Sequence, residues 1–249
     1  FIGENVADAN MTNATWNTVV GYNAVSALTT GDFNTAIGGQ AGLNLTDGTH
    51  NTFVGQAAGE VATSVTRAIG IGVGALGGAH ATAAADGTVA IGHKSLTSLT
   101  SGIGNVAIGS GSLKKETAGD WTTAVGTLAL SKQNNASGMN TAVGYHAGSA
   151  LTSGYLNTII GSNAAIALVS GTSNVVVGAR ALSSADGGEQ NNSVLGADAM
   201  ASVNNDMSDG NIAIGLAALH GGTGGITTTT GIGQGTLTRT GATTVTGTI

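Results

Sequence analysis

Hydrophobic and polar positions recur along this chain with a period far longer than that of a helix or a strand. The phrase NTAIG at 34–38 returns as NTFVG at 51–55, NVAIG at 105–109, NTAVG at 140–144 and NIAIG at 211–215. The glycines that end the phrases follow one another at 17 to 20 residues: Gly3, Gly21, Gly38, Gly55, Gly72, Gly92, Gly109, Gly126, Gly144, Gly161, Gly178, Gly196, Gly215 and Gly233. Such a period is typical of a solenoid, in which each repeat forms one coil.

Alternation inside each phrase predicts a short strand. The residue before the glycine is always aliphatic: Ile2, Val20, Ile37, Val54, Ile71, Ile91, Ile108, Val125, Val143, Ile160, Val177, Leu195, Ile214 and Ile232. The residue two positions earlier is mostly Thr, Val or Ile, so the two positions share one face of the strand. We expect this face to point into the interior. The intervening residue, often Ala or Gly, would then form a flat outer face that another copy of the chain can approach.

Asparagine and a second glycine mark the ends of the predicted strands. Many phrases begin with Asn, namely Asn17, Asn34, Asn51, Asn105, Asn140, Asn157, Asn174, Asn192 and Asn211. Stacked in register, these amides would form a hydrogen-bonded ladder. A glycine ahead of the phrase, as at Gly31 and Gly48, predicts a turn with positive φ.

These patterns predict an all-β fold, a parallel β-solenoid or β-roll of about 14 coils with a repeat of 17–18 residues. Residues 1–237 would form the repetitive shaft or head, and 238–249 a degenerate last coil or a transition segment. Burial of three or four large aliphatic residues per coil contributes less free energy than the conformational entropy of ordering 17 residues costs. We therefore expect several copies of the chain to associate as a homotrimeric fibre.

Composition narrows the function. The chain has 43 Gly, no Pro and no Cys, and 8% of its residues are charged. Absence of Pro suits a backbone whose amides are committed to a ladder. The seven Lys and Arg are scattered, which argues against nucleic acid. No apolar run approaches the ~20 residues of a membrane span, so no membrane insertion is expected.

The NTAIG or NVAIG phrase followed by xxAL resembles the repeat of YadA-like trimeric autotransporter adhesin heads and of bacteriophage tail fibres. The resemblance covers nearly the whole chain. It implies a homotrimer of parallel β-solenoids that serves as a shaft or receptor-binding head on a virion or cell surface, without catalytic residues. The Thr-Gly-rich connections LTTGDFNT at 28–35 and LTSGYLNT at 151–158 look more like the phage version.

The expected function is therefore a structural and adhesive tail-fibre segment on the virion surface. It would contact adjoining fibre segments and mediate attachment to a host-cell glycan or receptor. A bacterial trimeric adhesin head on the extracellular surface is the alternative, and a monomeric ice-binding β-solenoid is a third hypothesis. No enzyme activity, cofactor or metal site is expected.

Candidate contact residues are few. Trp16, Phe33 and Trp121 lie five positions before a rung glycine, and Tyr22 and Tyr145 lie one after. Such rings either shield the edges of the coils or stack on the sugar faces of a glycan. Asn204 and Asp206 lie in an insertion that starts like a calcium loop but has no Glu at its twelfth position. Another insertion, GGAHATAAADG at 77–87, would bulge from the coil.

Overall fold

The computed structural model describes residues 2–6, 12–79, 81–203, 208–221, 226–236 and 245–246. These residues form a parallel β-solenoid, which confirms the predicted fold class. The chain comprises two compact units, residues 1–122 and 123–249.

Among its described residues, the first unit has six strands of three residues: β1 Thr18–Val20, β2 Thr35–Ile37, β3 Thr52–Val54, β4 Ile69–Ile71, β5 Val89–Ile91 and β6 Val106–Ile108. Each strand pairs in parallel with the next, and equivalent residues face each other, as Thr35 and Thr52 do. Ile2 forms an isolated bridge with Val20. The 20-residue step between Gly72 and Gly92 accommodates a short 3-10 helix, Ala83–Ala85.

The part of the second unit that the structure describes has nine strands: β7 Thr123–Val125, β8 Thr141–Val143, β9 Thr158–Ile160, β10 Val175–Val177, β11 Ser193–Leu195, β12 Ile212–Ile214, β13 Ile226–Thr227, β14 Thr230–Ile232 and β15 Val245–Thr246. Strands β7 to β12 pair in sequence order, and β12 pairs with β14. Strand β15, within the predicted transition segment 238–249, pairs in parallel with β13.

The predicted orientation of the strands is wrong. The middle residue of each strand is buried, as Ala36 is in β2, whereas the flanking Thr35 and Ile37 lie on the outside. Ile37 is 40% exposed, and the equivalent aliphatic residues of the other coils are exposed or half-buried. The buried Asn34 sets this alternation, because the residue two positions after it must point to the same side.

The strands contribute mainly small residues to the interior, because larger side chains from the rest of the coil fill it. The residue three positions after each rung glycine from Gly21 to Gly215 is small and buried, and the next is often a buried leucine. A second leucine follows at the seventh position in several coils. The largest buried side chains are Phe53, Leu28, Leu45, Leu76, Leu96, Leu99, Leu113, Leu130, Leu151, Ile159, Leu168 and Leu182.

Around Phe53, the largest inward residue of the described strands, two facing positions are glycine. A Cβ at Gly59 would lie 2.6 Å from Cε1 of Phe53, and one at Gly42 would lie 3.2 Å from Cδ2 of the same ring. The equivalent positions in coils with a small strand residue carry leucine, as at Leu96 and Leu113. The phenyl ring of Phe53 thus occupies the volume that leucine fills elsewhere.

The asparagine ladder is confirmed. The side-chain amide of Asn51 donates to Oδ1 of Asn34 at 3.0 Å and to the carbonyl oxygen of Val65 at 2.7 Å. Its own Oδ1 accepts the backbone N–H of Ala68 at 2.9 Å. In the second unit the same Asn-to-Asn contacts join Asn140, Asn157, Asn174, Asn192 and Asn211 at 2.9 to 3.1 Å. The amides of Asn51, Asn157, Asn174, Asn192 and Asn211 therefore bond their own coils to both neighbours.

Glycine is required mainly by the close approach of successive coils. A Cβ at Gly38 would lie 2.6 Å from the carbonyl carbon of Gly55, and its φ is 133°. At Gly48, where a turn with positive φ is predicted, the φ lies outside that region, which corrects the expectation. A Cβ there would instead lie 2.2 Å from the carbonyl oxygen of Val65. Positive φ also occurs at many non-glycine residues, among them Phe33 with a φ of 57°.

Replacement of Asn51 with Ala should lower the free energy of unfolding by about 2 to 4 kcal/mol, because it strips buried hydrogen-bond partners from Val65 and Ala68. Urea unfolding followed by circular dichroism measures this. The matched control is Asn44→Ala, at a half-buried position outside the ladder, which should change stability by less than about 0.5 kcal/mol. Equal losses in the two variants would contradict a special role for the ladder.

Phe53→Ala should lower the free energy of unfolding by about 3 to 5 kcal/mol, because it leaves a cavity beside Gly42 and Gly59. Addition of Gly59→Leu, which restores the residue pair found in the other coils, should recover part of that loss. Gly59→Leu alone should destabilise, since its side chain meets the phenyl ring. The coupling from the double-mutant cycle is the test, and additive effects would show that the two positions do not share one volume.

Candidate functional site

The outward residues of the strands form a continuous apolar surface on each unit. We call it the strand face: the first and third residues of β1 to β6 in the first unit, and of β7 to β12 and β14 in the second. Its third positions are all aliphatic, and they include Leu195 at 51% exposure and Ile232 at 66%. The first positions are Thr, Val, Ile or Ser. This surface offers neither charge nor a nucleophile beyond hydroxyl groups, so it is suited to association rather than to chemistry.

A second surface lies just before the strands of the first unit. We call it the pre-strand corner, and its residues are Trp16, Phe33, His50, Arg67, Gly87, Gly104 and Trp121. Their φ values run from 49° to 67°. Backbone hydrogen bonds hold successive corners together, as from the N–H of Trp121 to the carbonyl oxygen of Ile103 at 3.0 Å. The corner therefore presents one side chain per coil in a column.

Three rings stack at one end of this column. The centroids of Trp16 and Phe33 lie 6.4 Å apart with an interplanar angle of 3°, and those of Phe33 and His50 lie 4.9 Å apart at 25°. Asp32 supports this end, since its Oδ1 accepts the backbone N–H of Thr15 at 2.6 Å. The rings of Phe33 and His50 meet through their faces, so the stack presents mainly ring edges to a ligand.

An ion pair follows the stack in the same column. The guanidinium group of Arg67 donates to both carboxylate oxygens of Asp86. This hydrogen bonding, together with the charge of Asp86, raises the pKa of Arg67 above its ordinary value. The Arg67 side chain is largely exposed. The pair therefore offers both donors and acceptors to solvent.

Trp121, at the other end of the column, lies over a glycine. A Cβ at Gly104 would lie 2.9 Å from Cδ1 and 3.4 Å from Nε1 of the indole. The Trp121 side chain is 60% exposed. Gly87, one coil nearer to Arg67, has open space around the position of a Cβ. The corner is therefore open at Gly87, while the indole of Trp121 covers Gly104.

The remaining predicted contact residues lie elsewhere. Tyr22 and Tyr145 are exposed at the corner that follows the rung glycine, in the first and second unit respectively. The ring centroid of Tyr145 lies 4.2 Å from that of His146, with the rings tilted by 45°. Neither tyrosine belongs to the pre-strand corner. Asn204 and Asp206 lie outside the described residues, as does the calcium-loop hypothesis that involves them.

Sequence reasoning selected the aromatic residues of the pre-strand corner and missed His50, Arg67 and Asp86. Register would have found two of them, because His50 and Arg67 lie five positions before a rung glycine, as the tryptophans do. Asp86 lies in the 77–87 insertion and has no such signal.

One Ser–His contact occurs in the second unit. Oγ of Ser202 lies 3.4 Å from Nε2 of His220. The nearby Asp198 carboxylate accepts from Nε and Nη2 of Arg180, both at 2.7 Å. The hydrogen bond from Arg180 lowers the pKa of Asp198, and the charges of Arg180 and His220 add to this effect. Asp198 is therefore engaged as an ion-pair partner.

The described part of the chain offers few features of a small-molecule site. It contains no detected pocket and no group of three His, Cys, Asp or Glu residues that could hold a metal ion. None of its helices is long and apolar enough to span a bilayer. Any ligand of these residues must therefore bind to an open surface.

Comparisons with protein-family models, with curated proteins and with solved structures found no match for this chain. The resemblance to tail fibres and adhesin heads therefore rests on the repeat phrase, and the functional argument rests on the geometry of the surfaces.

Proposed function

We propose that this chain is a structural and adhesive segment of a homotrimeric fibre, a bacteriophage tail fibre that attaches to a host-surface glycan. The observation that carries the proposal is the strand face. Each unit exposes a regular array of aliphatic side chains that a lone chain leaves in contact with water. Exposed apolar surfaces of this extent mark sites of association.

The arrangement of the strand face favours other copies of the same chain as the partner. The aliphatic column of the strand face has one side chain per coil. The same column on another copy of the chain has the same axial spacing, so the side chains of the two columns can interdigitate. Burial of the exposed part of each side chain contributes roughly 1 kcal/mol. Six such residues in the first unit and seven in the second then contribute on the order of 10 kcal/mol per chain.

In this proposal the strand face, and not the face formed by Ala and Gly, is the surface that meets other copies of the chain. Those small residues are buried inside the coils, as Ala36 and Ala107 are, and no partner reaches them. The trimer, in this proposal, closes around the columns that contain Ile37, Ile108 and Ile214.

The phage origin is supported by the repeat length of 17 to 18 residues and by the Thr-Gly-rich connections. A bacterial trimeric adhesin head is the alternative within the same class. A coiled-coil stalk and a membrane barrel anchor encoded downstream would select the adhesin, whereas neighbouring virion structural genes would select the fibre. Either assignment places the protein on a surface, where weak contacts are multiplied by three-fold repetition.

The trimer predicts a mass of about three times 23.9 kDa in size-exclusion chromatography with light scattering. Ile37→Asp combined with Ile71→Asp should dissociate it, because both substitutions place charge on the strand face. The matched control, Ser26→Asp combined with Ser98→Asp, adds the same charge outside the strands and should leave the trimer intact. A stable wild-type monomer would refute the proposal.

Ice binding is a second candidate function, and the orientation of the strands favours it more than the sequence did. Thr18, Thr35 and Thr52 lie on the outside of β1 to β3, although their shared face with the aliphatic residues predicts burial. Flat, regularly spaced threonine and aliphatic columns can order water. In the fibre proposal this face is covered by other copies.

A thermal-hysteresis assay separates the two candidates. The fibre proposal predicts no depression of the freezing point relative to the melting point at millimolar protein concentration. A monomeric protein with clear hysteresis that is lost in Thr35→Tyr would replace the fibre with an ice-binding function. The matched control is Thr30→Tyr, at an exposed position outside the strands.

A further inference from the structure

We propose that the pre-strand corner between Arg67 and Trp121 is a polysaccharide-binding site. The inference rests on the proposed attachment function and adds to it the place of contact and the chemical class of the ligand. The site lies wholly within the first unit, and its residues are Arg67, Asp86, Gly87, Gly104 and Trp121.

Trp121 supplies the apolar platform. Its indole lies over Gly104, so the backbone fixes the ring from one side while 60% of the side chain stays exposed. A ring held in contact with the backbone loses little conformational freedom when a ligand covers it. Sugar rings present a face of C–H groups that packs on an aromatic face, and the indole N–H remains a donor.

Gly87 gives the ligand access, because the space around it is open. Gly87 and Gly104 belong to consecutive corners, because the N–H of Gly104 donates to the carbonyl oxygen of Asp86 at 3.2 Å. With a strand spacing of about 4.8 Å, Arg67 and Trp121 are separated by three coil steps, or roughly 14 Å. A chain of two or three sugar units can lie from the Arg67–Asp86 pair across Gly87 and onto the exposed part of the indole that covers Gly104.

Arg67 and Asp86 supply the polar end. Sugars carry neighbouring hydroxyl groups that both donate and accept, and an arginine paired with a carboxylate offers both functions side by side. Asp86 is held in place twice, by Arg67 and by the N–H of Gly87, which donates to its Oδ1 at 2.9 Å. A preorganised pair of this kind binds without a large ordering cost.

A polysaccharide fits this surface better than other ligands do. The site is open and shallow, which suits a long polymer with weak contacts repeated along its length. It combines one cation with one anion, so it has no net positive charge to attract nucleic acid. The stack of Trp16, Phe33 and His50 in the same corner is less suited to a sugar, because its rings pack on one another.

The test uses the whole chain with Trp16→Phe, which leaves Trp121 as the sole tryptophan of the two in the sequence. Binding is first measured on an array of bacterial surface polysaccharides, and the strongest hit is then titrated while Trp121 fluorescence is followed. We expect saturable quenching. Trp121→Ala lacks the fluorescent reporter, so its binding is scored on the array signal. Trp121→Ala and Gly87→Asn should each weaken binding at least tenfold, and Asp86→Asn should weaken it about three- to tenfold.

Gly87→Asn is the decisive variant, because Asn tolerates positive φ and the space around Gly87 is open, so the fold should be kept while that space is filled. Phe33→Ala is the matched control at the same corner and should leave binding unchanged. Thermal unfolding monitored by circular dichroism confirms that each variant is folded.

No array hit, or equal binding by wild type and folded Gly87→Asn, would overturn the site. Trimer formation and attachment to host cells are measured on the same variants. A Trp121→Ala trimer that attaches as wild type does would refute this site and leave the fibre proposal standing, whereas a monomer would refute the fibre itself.

Discussion

Close stacking of coil on coil is the constraint on which the rest of this structure depends. Successive backbones lie near enough that a methyl group at Gly38 or Gly48 would overlap the next coil. Every coil must therefore place glycine where its neighbour passes and must satisfy its buried amides through that neighbour. Asn51 shows how one side chain does this, since it bonds to residues of the coils on both sides. The absence of proline is consistent with the same demand.

The narrow interior decides which side chains face outward. The inward residue of the strands is Ala or Gly in most described coils, where leucines such as Leu96 fill the interior, and Phe53 in the first unit is accommodated by glycines around it. Most large β-branched residues of the strands lie on the outer face, whereas Ile159 and the valines at 19, 176 and 194 point inward. A strongly apolar exterior thus follows from close packing within the coil, and association of chains is its natural complement.

The repeat period, the position of the strands and the asparagine ladder could all be predicted from the sequence, because identical residues recur at identical places. The direction of the strand face could not be predicted in this way. A pattern with a period of two defines two faces without saying which is inside, and hydrophobicity misleads when the outer face is also apolar. The buried asparagine two residues before Ala36 was the signal that would have resolved it.

The candidate sugar site was predictable only in part. Trp121 was selected from its residue type, and register alone would have added Arg67. The position of the indole over Gly104 depends on a side-chain rotamer, and the pairing of Arg67 with Asp86 depends on the path of an insertion. Neither follows from the repeat, since both arise where the coils differ from one another.

The 20-residue step between Gly72 and Gly92 shows how this architecture can change its length. Its extra residues are taken up in the 3-10 turn Ala83–Ala85, and strands β4 and β5 still pair in register. A few added residues are thus absorbed within one coil. A whole added repeat would contact the same kind of coil on each side as every existing repeat does. Duplication or loss of repeats would therefore lengthen or shorten such a protein without any redesign of its interior, and growth in one dimension becomes the simplest evolutionary path open to it.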